Sequence, residues 1–176
     1  MQRLNTEELL LQYAGGKRDF QNLDLSGADL FEASLPGIDC SGCDLSHSHL
    51  PYANLSQANL REAQLQETEM GDAQLYQANL MQANLRRANM PRANLRFAKL
   101  QGADLSGANL QGSDLYGADL SDCNLTNVDL RRANLEKANL TGAKLSGTNL
   151  FRTQQADLSK AYTDQTTIYP DGYRQD

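Results

Sequence analysis

From Phe20 to Leu150 every position divisible by five is Leu, apart from Phe20, Cys40, Met70 and Met90. Two residues before most of them sits a small residue, usually Ala, and between them stands Asn or Asp most often, as in "YQANLMQANLRRANMPRANL". A helix needs apolar recurrence near 3.6 residues and a strand needs 2, so a period of five fits neither as a continuous element. The Ala-x-Leu triplet alternates like a short strand, with both apolar members on one face and Asn or Asp on the other. The two remaining residues are rich in Gly, Ser, Pro and Gln and turn the chain at a corner. A unit this short has no core of its own, so its apolar pair is buried only if neighbouring turns stack on it.

The motif, approximately A(D/N)Lxx in 27 consecutive units, resembles that of the pentapeptide-repeat protein family. The resemblance implies an all-β, right-handed quadrilateral β-helix with four units per coil and the Leu and Ala pointing inward. The opening "YAGGKRDFQNLDLSGADL" and the closing "TTIYPDGY" are similar to cyanobacterial members. Coils stacked at the strand spacing of about 4.8 Å give a rod of roughly 30 to 35 Å.

Both ends of such a stack need covers, because each exposes apolar area and unpaired strand edges. Asn5 with Glu8 three residues later signals a helix start, Leu9, Leu10 and Tyr13 supply an apolar face, and Gly15 ends the segment. The sequence therefore predicts an N-terminal cap over residues 1–17 with a short capping α-helix over 5–14, and a repeat domain over 18–150. Residues 151–176 hold irregular repeats and a C-terminal cap, with a three-residue insertion expected in "FRTQQ" because Leu150 and Leu158 are eight apart.

The segment "CSGCDLSHSH" has the composition of a zinc site. In the five-residue register, however, Cys40 and Cys43 face the core while His47 and His49 face out, so the four cannot converge on one ion. Cys123 lies 80 residues from Cys43, four coils or roughly 19 Å along the same column, too far for a disulfide. The thiols are expected to be buried and reduced, and no metal or cofactor is expected. A convex rod with a filled interior also offers no concave site for a nucleophile and its base, so no catalytic residue is assigned and the chain is not expected to be an enzyme.

Function must then lie on the outer surface. At a 20-residue spacing Tyr76, Arg96 and Tyr116 fall in one row with Phe97 beside it. Arg between two aromatic rings is either a self-satisfied cation–π ladder or a partner-binding patch. A secondary basic stripe comprises Arg92, Arg132 and Arg152, with Arg131 alongside, and would suit an acidic partner or simply be solvated.

The 176-residue chain has a formal charge of −6, so it has no net basic field for direct nucleic-acid binding. No apolar run is long enough to span a membrane, and no signal peptide is evident, so a cytoplasmic address is expected. Some members of the resembled family are DNA mimics that bind DNA gyrase, which needs a continuously acidic rod. Between Asp72 and Asp104 there is no acidic residue, while Arg86, Arg87, Arg92, Arg96 and Lys99 all fall there. The leading expectation is a non-catalytic, rigid protein–protein interaction module with an unidentified protein partner, regulatory in a cyanobacterium. Gyrase binding is the alternative. Self-assembly is the third, as a homodimer through the C-terminal end, where Tyr162, Ile168, Tyr169 and Tyr173 are apolar.

Overall fold

The computed structural model describes residues 1–174; the last two positions of the expected C-terminal cap lie outside the described residues. Isolated parallel bridges link the outward Asn/Asp place of each unit to the residue 20 positions on, as in Asn59↔Asn79, Asn79↔Lys99 and Lys99↔Asp119. Twenty residues hold four five-residue units, so each coil of this β-solenoid comprises four units.

Three backbone bonds repeat between coils. The N–H of Leu80 donates to the carbonyl of Lys99 at 2.7 Å, that of Gln82 to Gln101 at 3.0 Å, and that of Asn84 to Ala63 at 3.0 Å. A fourth bond closes each corner: the N–H of Ala83 reaches back to the carbonyl of Leu80 at 3.1 Å. The residue before the small place always has positive φ, supplied by nine glycines and by 18 other residues such as Tyr52 (φ 59) and Arg92 (φ 56). A bond across four residues with positive φ at the third is the type II turn, which favours Pro at the second position. Pro36, Pro51 and Pro91 stand there.

The side chains divide accordingly. Central Leu and small Ala residues from Phe20 to Leu150 form one continuous buried column. Donors at the small place find carbonyls either in the previous coil, as Cys43 Sγ to Phe20 at 2.9 Å, Ser48 Oγ to Leu25 at 3.1 Å and Thr148 Oγ1 to Leu125 at 2.6 Å, or in their own corner, as Thr68 to Leu65 and Ser113 to Leu110, both at 2.8 Å. These polar groups are thereby admitted to the column with a partner, whereas the buried Thr153 hydroxyl near the C-terminal end has none among the described residues. Outside, the Asn side chains stack as ladders, Asn79 donating to Asn59 and Asn59 to Asp39, both at 3.1 Å.

Helix α1 spans Thr6–Ala14, and the Asn5 side chain caps it by accepting from the Glu8 N–H at 2.8 Å. Leu9 is buried against the first coil, whereas Leu10 is 37% exposed. Gly15 caps the C-terminal end of the helix at φ −72, and the chain leaves through Gly16 at φ 96. Before the helix, β1 (Gln2–Arg3) pairs in parallel with β2 (Leu23–Asp24), and the Leu4 N–H donates to Asp24 at 3.0 Å. The first strand edge is therefore covered by the chain's own start as well as by the helix.

The other end corrects the expected insertion. Asn134 still bridges Gln154 at the regular spacing of 20, and the Leu135 N–H still meets the Gln154 carbonyl at 3.0 Å. Gln155 thus occupies a central place, and "FRTQQ" is a complete unit. The next bridge, Lys144↔Tyr162, spans only 18, so the unit ending at Leu158 is shortened by two residues. Asn149↔Ile168 then spans 19. An exposed Gln155 ends the apolar column on this side, because its amide stays hydrated where a Leu would be buried.

Candidate interaction surface

The four patch residues meet on one edge of the solenoid, held by corner bonds such as the Phe97 N–H to Tyr116 carbonyl at 3.0 Å. Their order differs from the expected one. Phe97, not Arg96, lies between the tyrosines: its ring meets Tyr76 edge-on at 6.1 Å and Tyr116 edge-on at 5.4 Å. Arg96 leans to one side, 4.5 Å from the Tyr116 ring and 3.1 Å from the Asp114 carboxylate. Phe97 has positive φ at the corner, which swings its side chain outward along the row towards Gly117. A Cβ on Gly117 would come within 2.7 Å of the Phe97 ring, so the missing side chain is what lets the ring lie there.

Lys137, which sequence reasoning missed, completes the group by donating to the Tyr116 hydroxyl at 2.6 Å. That bond raises the lysine's pKa from its ordinary value. The signal was legible at a 20-residue spacing, since Phe97, Gly117 and Lys137 occupy the same place in successive coils. Phe97 is 41% exposed, while Tyr76, Arg96 and Tyr116 are half-buried. The resulting surface is a hydrophobic ring flanked by two cations whose aromatic partners hold them in place, a composition that suits protein contact more than chemistry.

The basic stripe is less charged than its sequence. Arg92 grips Asp72 with two bonds at 2.9 and 2.6 Å, which holds the Asp72 carboxyl below its ordinary pKa. Arg131 folds back onto Asp129, two residues earlier, and depresses that carboxyl likewise. Among the described residues no carboxylate lies within ion-pair distance of Arg132 or Arg152, and Arg152 sits 4.9 Å over the Phe151 ring. The basic belt is also tied to adjacent coils: Arg86 lies 3.7 Å from Asp104 and Arg87 3.6 Å from Glu67.

"CSGCDLSHSH" divides across the wall. Cys40 and Cys43 are buried, and the Cys40 thiol is pushed well above its ordinary pKa by its hydrogen bond with Cys43 and by burial. His49 is outside, 3.0 Å from Asp29 and stacked on Phe31 with ring centres 5.8 Å apart. His47 lies 3.5 Å from Glu67. Cys123 donates to the Leu100 carbonyl at 2.9 Å, and burial pushes its thiol up to about 12. Phe31 meets Tyr52 edge-on at 5.9 Å, a second exposed aromatic cluster that was not foreseen.

The family described as "Pentapeptide repeats" matches in eight copies over residues 38–75, 73–112 and 113–152. No curated protein matches the chain. Among solved structures, the chain is 30% identical to HetL, a pentapeptide repeat protein involved in heterocyst differentiation regulation from the cyanobacterium Nostoc sp. strain PCC 7120. That match covers 98% of this chain and 100% of HetL, with a TM-score of 0.51. A pentapeptide repeat protein from the Arabidopsis thaliana thylakoid lumen is 27% identical over 67% of this chain and 72% of its own, at TM-score 0.45. Full-length QnrB1, a plasmid-mediated fluoroquinolone resistance protein, is 22% identical over 88% of this chain and 78% of its own, at TM-score 0.42. The five-residue motif, its stacking in coils of 20 and these matches together make the chain a member of the pentapeptide-repeat family.

Proposed function

We propose that this protein is a non-catalytic, rigid interaction module with a regulatory role in a cyanobacterium, and that it engages a protein partner through the edge centred on Phe97. The observation that carries the reading is the exposed Phe97 ring braced by Tyr76 and Tyr116 and flanked by Arg96 and Lys137. Aromatic and Arg residues anchor interfaces because they bury large area with little conformational loss. The regulatory element draws on HetL, whose match extends over nearly the whole of both chains. We take the solenoid as right-handed and quadrilateral: parallel strands of one sheet joined by long connections favour that hand, and each coil has four corners. The cytoplasm is taken as its compartment, which suits three free, buried thiols. No helix among the described residues is long and apolar enough to cross a membrane.

Affinity capture from a cyanobacterial lysate tests the reading. The wild type should retain a specific partner that Tyr76→Ala/Tyr116→Ala and Phe97→Ala both lose, and unchanged retention would remove the patch from consideration.

Gyrase binding through DNA mimicry fits less well. Glu67, Asp72, Asp104 and Asp114 are each spent on an arginine, leaving no continuous acidic row through the middle coils. Inhibition of supercoiling at micromolar protein would favour it. End-to-end self-assembly draws on Tyr162 and Tyr173, which are 68% and 75% exposed. Light scattering that gives a concentration-independent monomer mass would discard it.

A further inference from the structure

One edge of the solenoid carries a pattern that is complementary to itself when reversed. Corner bonds link its residues in an unbroken row: the Glu32 N–H donates to Pro51, Tyr52 to Gly71, Asp72 to Pro91, Arg92 to Gln111, Gly112 to Arg131 and Arg132 to Phe151, all at 2.9–3.0 Å. The early half presents Phe31, Glu32 and Tyr52, all exposed, and the late half presents Arg132 and Arg152 beside Phe151. Among the described residues none of Glu32, Arg132 and Arg152 has an ion-pair partner. These groups sit symmetrically about the Pro91–Arg92 level. Glu32 and Arg152 are each 60 positions, or three coils, from Arg92, and Tyr52 and Arg132 are each 40 positions, or two coils, from it.

We propose that this edge is a self-association surface, on which two copies pair side by side and antiparallel about a twofold axis at Pro91. The outer residues of the row then meet complementary ones. Glu32 of one copy faces Arg152 of the other, the Tyr52 ring faces the Arg132 guanidinium, and Phe31 faces Phe151. Each contact occurs twice, as an isologous interface requires. Near the axis the row is lined by Pro91, Gly71 and Gly112, which have little or no side chain to hold the two edges apart. Asp72 falls opposite Gly112, where a notch of about 280 Å³ lies between Arg92 and Arg132. The two Arg92 side chains brought together at the axis are each already neutralised by Asp72.

The row is about 29 Å long at the strand spacing and two residues wide. Its area is well below the roughly 800 Å² per partner of a stable complex, so the dimer is weak and reversible. Its opposite charges make it sensitive to salt. This surface lies on a different edge from the Phe97 patch, and its association does not involve the C-terminal end.

Sedimentation equilibrium between about 5 and 500 μM tests the proposal. The wild type should show monomer–dimer exchange that weakens in high salt. Glu32→Arg and Arg152→Glu should each weaken self-association at least tenfold, because each sets like charges opposite one another. Both positions are exposed, and arginine (Arg87, Arg92) and glutamate (Glu62, Glu67) already occupy the same corner place, so both variants should fold; unchanged circular dichroism checks this. An equimolar mixture of the two variants should form a heterodimer, since the arginine introduced in one chain then faces the glutamate introduced in the other, while the native Arg152 and Glu32 also meet. The proposal is overturned if the wild type stays monomeric at 500 μM, if either single variant dimerises as well as the wild type, or if mixing fails to restore association.

Discussion

Gly37 isolates the energetic demand that every corner makes. Its φ is 69, a Cβ placed on it would meet no atom within 4 Å, and its N–H donates to the Ser56 carbonyl at 2.9 Å whatever its side chain. Replacement by Ala therefore changes only conformational preference. Holding an L-residue in the left-handed region costs about 1–2 kcal/mol. Removing glycine's freedom from the unfolded chain returns about 0.4–1 kcal/mol. The net loss is about 0–1.6 kcal/mol, or a melting temperature lower by up to about 6 °C for a chain of this size. Gly37→Asn should lie close to wild type, because Asn tolerates this region, and Gly37→Val should fall below Ala, because β-branched residues do not. Thermal unfolding followed by circular dichroism gives the order Gly, Asn, Ala, Val. If Gly37→Ala instead raises the melting temperature, as it would in a corner free to relax, then the left-handed turn is not enforced by the stack.

Two further perturbations probe the column and the ladders. Leu80 is 1% exposed in the middle of the column, so Leu80→Ala should cost about 2–5 kcal/mol and lower the melting temperature by about 5–15 °C. Asp24, Asp72 and Asp129 are held below the ordinary carboxylate range by hydrogen bonds from Ser26, Arg92 and Arg131. Their folded pKa values are lower than the unfolded ones, so the stability they contribute is present above about pH 4 and is lost as the pH falls through the depressed values. A pH series should show a flat melting temperature above about pH 5 and a decline below about pH 4; no decline at pH 2 would contradict this.

The inward places were legible in the sequence because burial makes one demand of every unit. A Leu or Met at the centre and an Ala, Ser, Thr or Cys two residues earlier are the residues that fill one thin column, and the period of five exposes that rule directly. The thiols of Cys40 and Cys43 and the imidazoles of His47 and His49 fell on the expected sides for the same reason. The outward places were harder. Placing Tyr76, Arg96 and Tyr116 in a row required only the 20-residue spacing, but the position of Phe97 between the rings depends on its left-handed backbone and on the absence of a side chain at Gly117. Neither is visible in a rule that treats the last two places of a unit as free. The left-handed place does leave a trace: none of the 18 non-glycine residues there is Val, Ile, Thr or Pro. Pairings such as Arg92 with Asp72 were likewise hidden, because oppositely charged partners 20 positions apart look unrelated along the chain. The apparent insertion after Leu150 misled because counting between two Leu residues cannot show that Gln155 occupies a central place without filling it.

Both proposed surfaces depend on the 20-residue register, and residue-resolved amide hydrogen exchange tests that register most directly. In the regular units of the middle coils the amides of the central, left-handed, small and outward places donate to backbone carbonyls, while that of the first corner residue meets at most an Asn or Asp side chain, as in Met81, Arg96 and Tyr116. The structure therefore requires one fast-exchanging amide in every five through the middle coils, with protection at the other four places falling towards both ends. Protection without that period, or with the 3.6-residue period of a helix, would contradict the stacked solenoid on which the account rests.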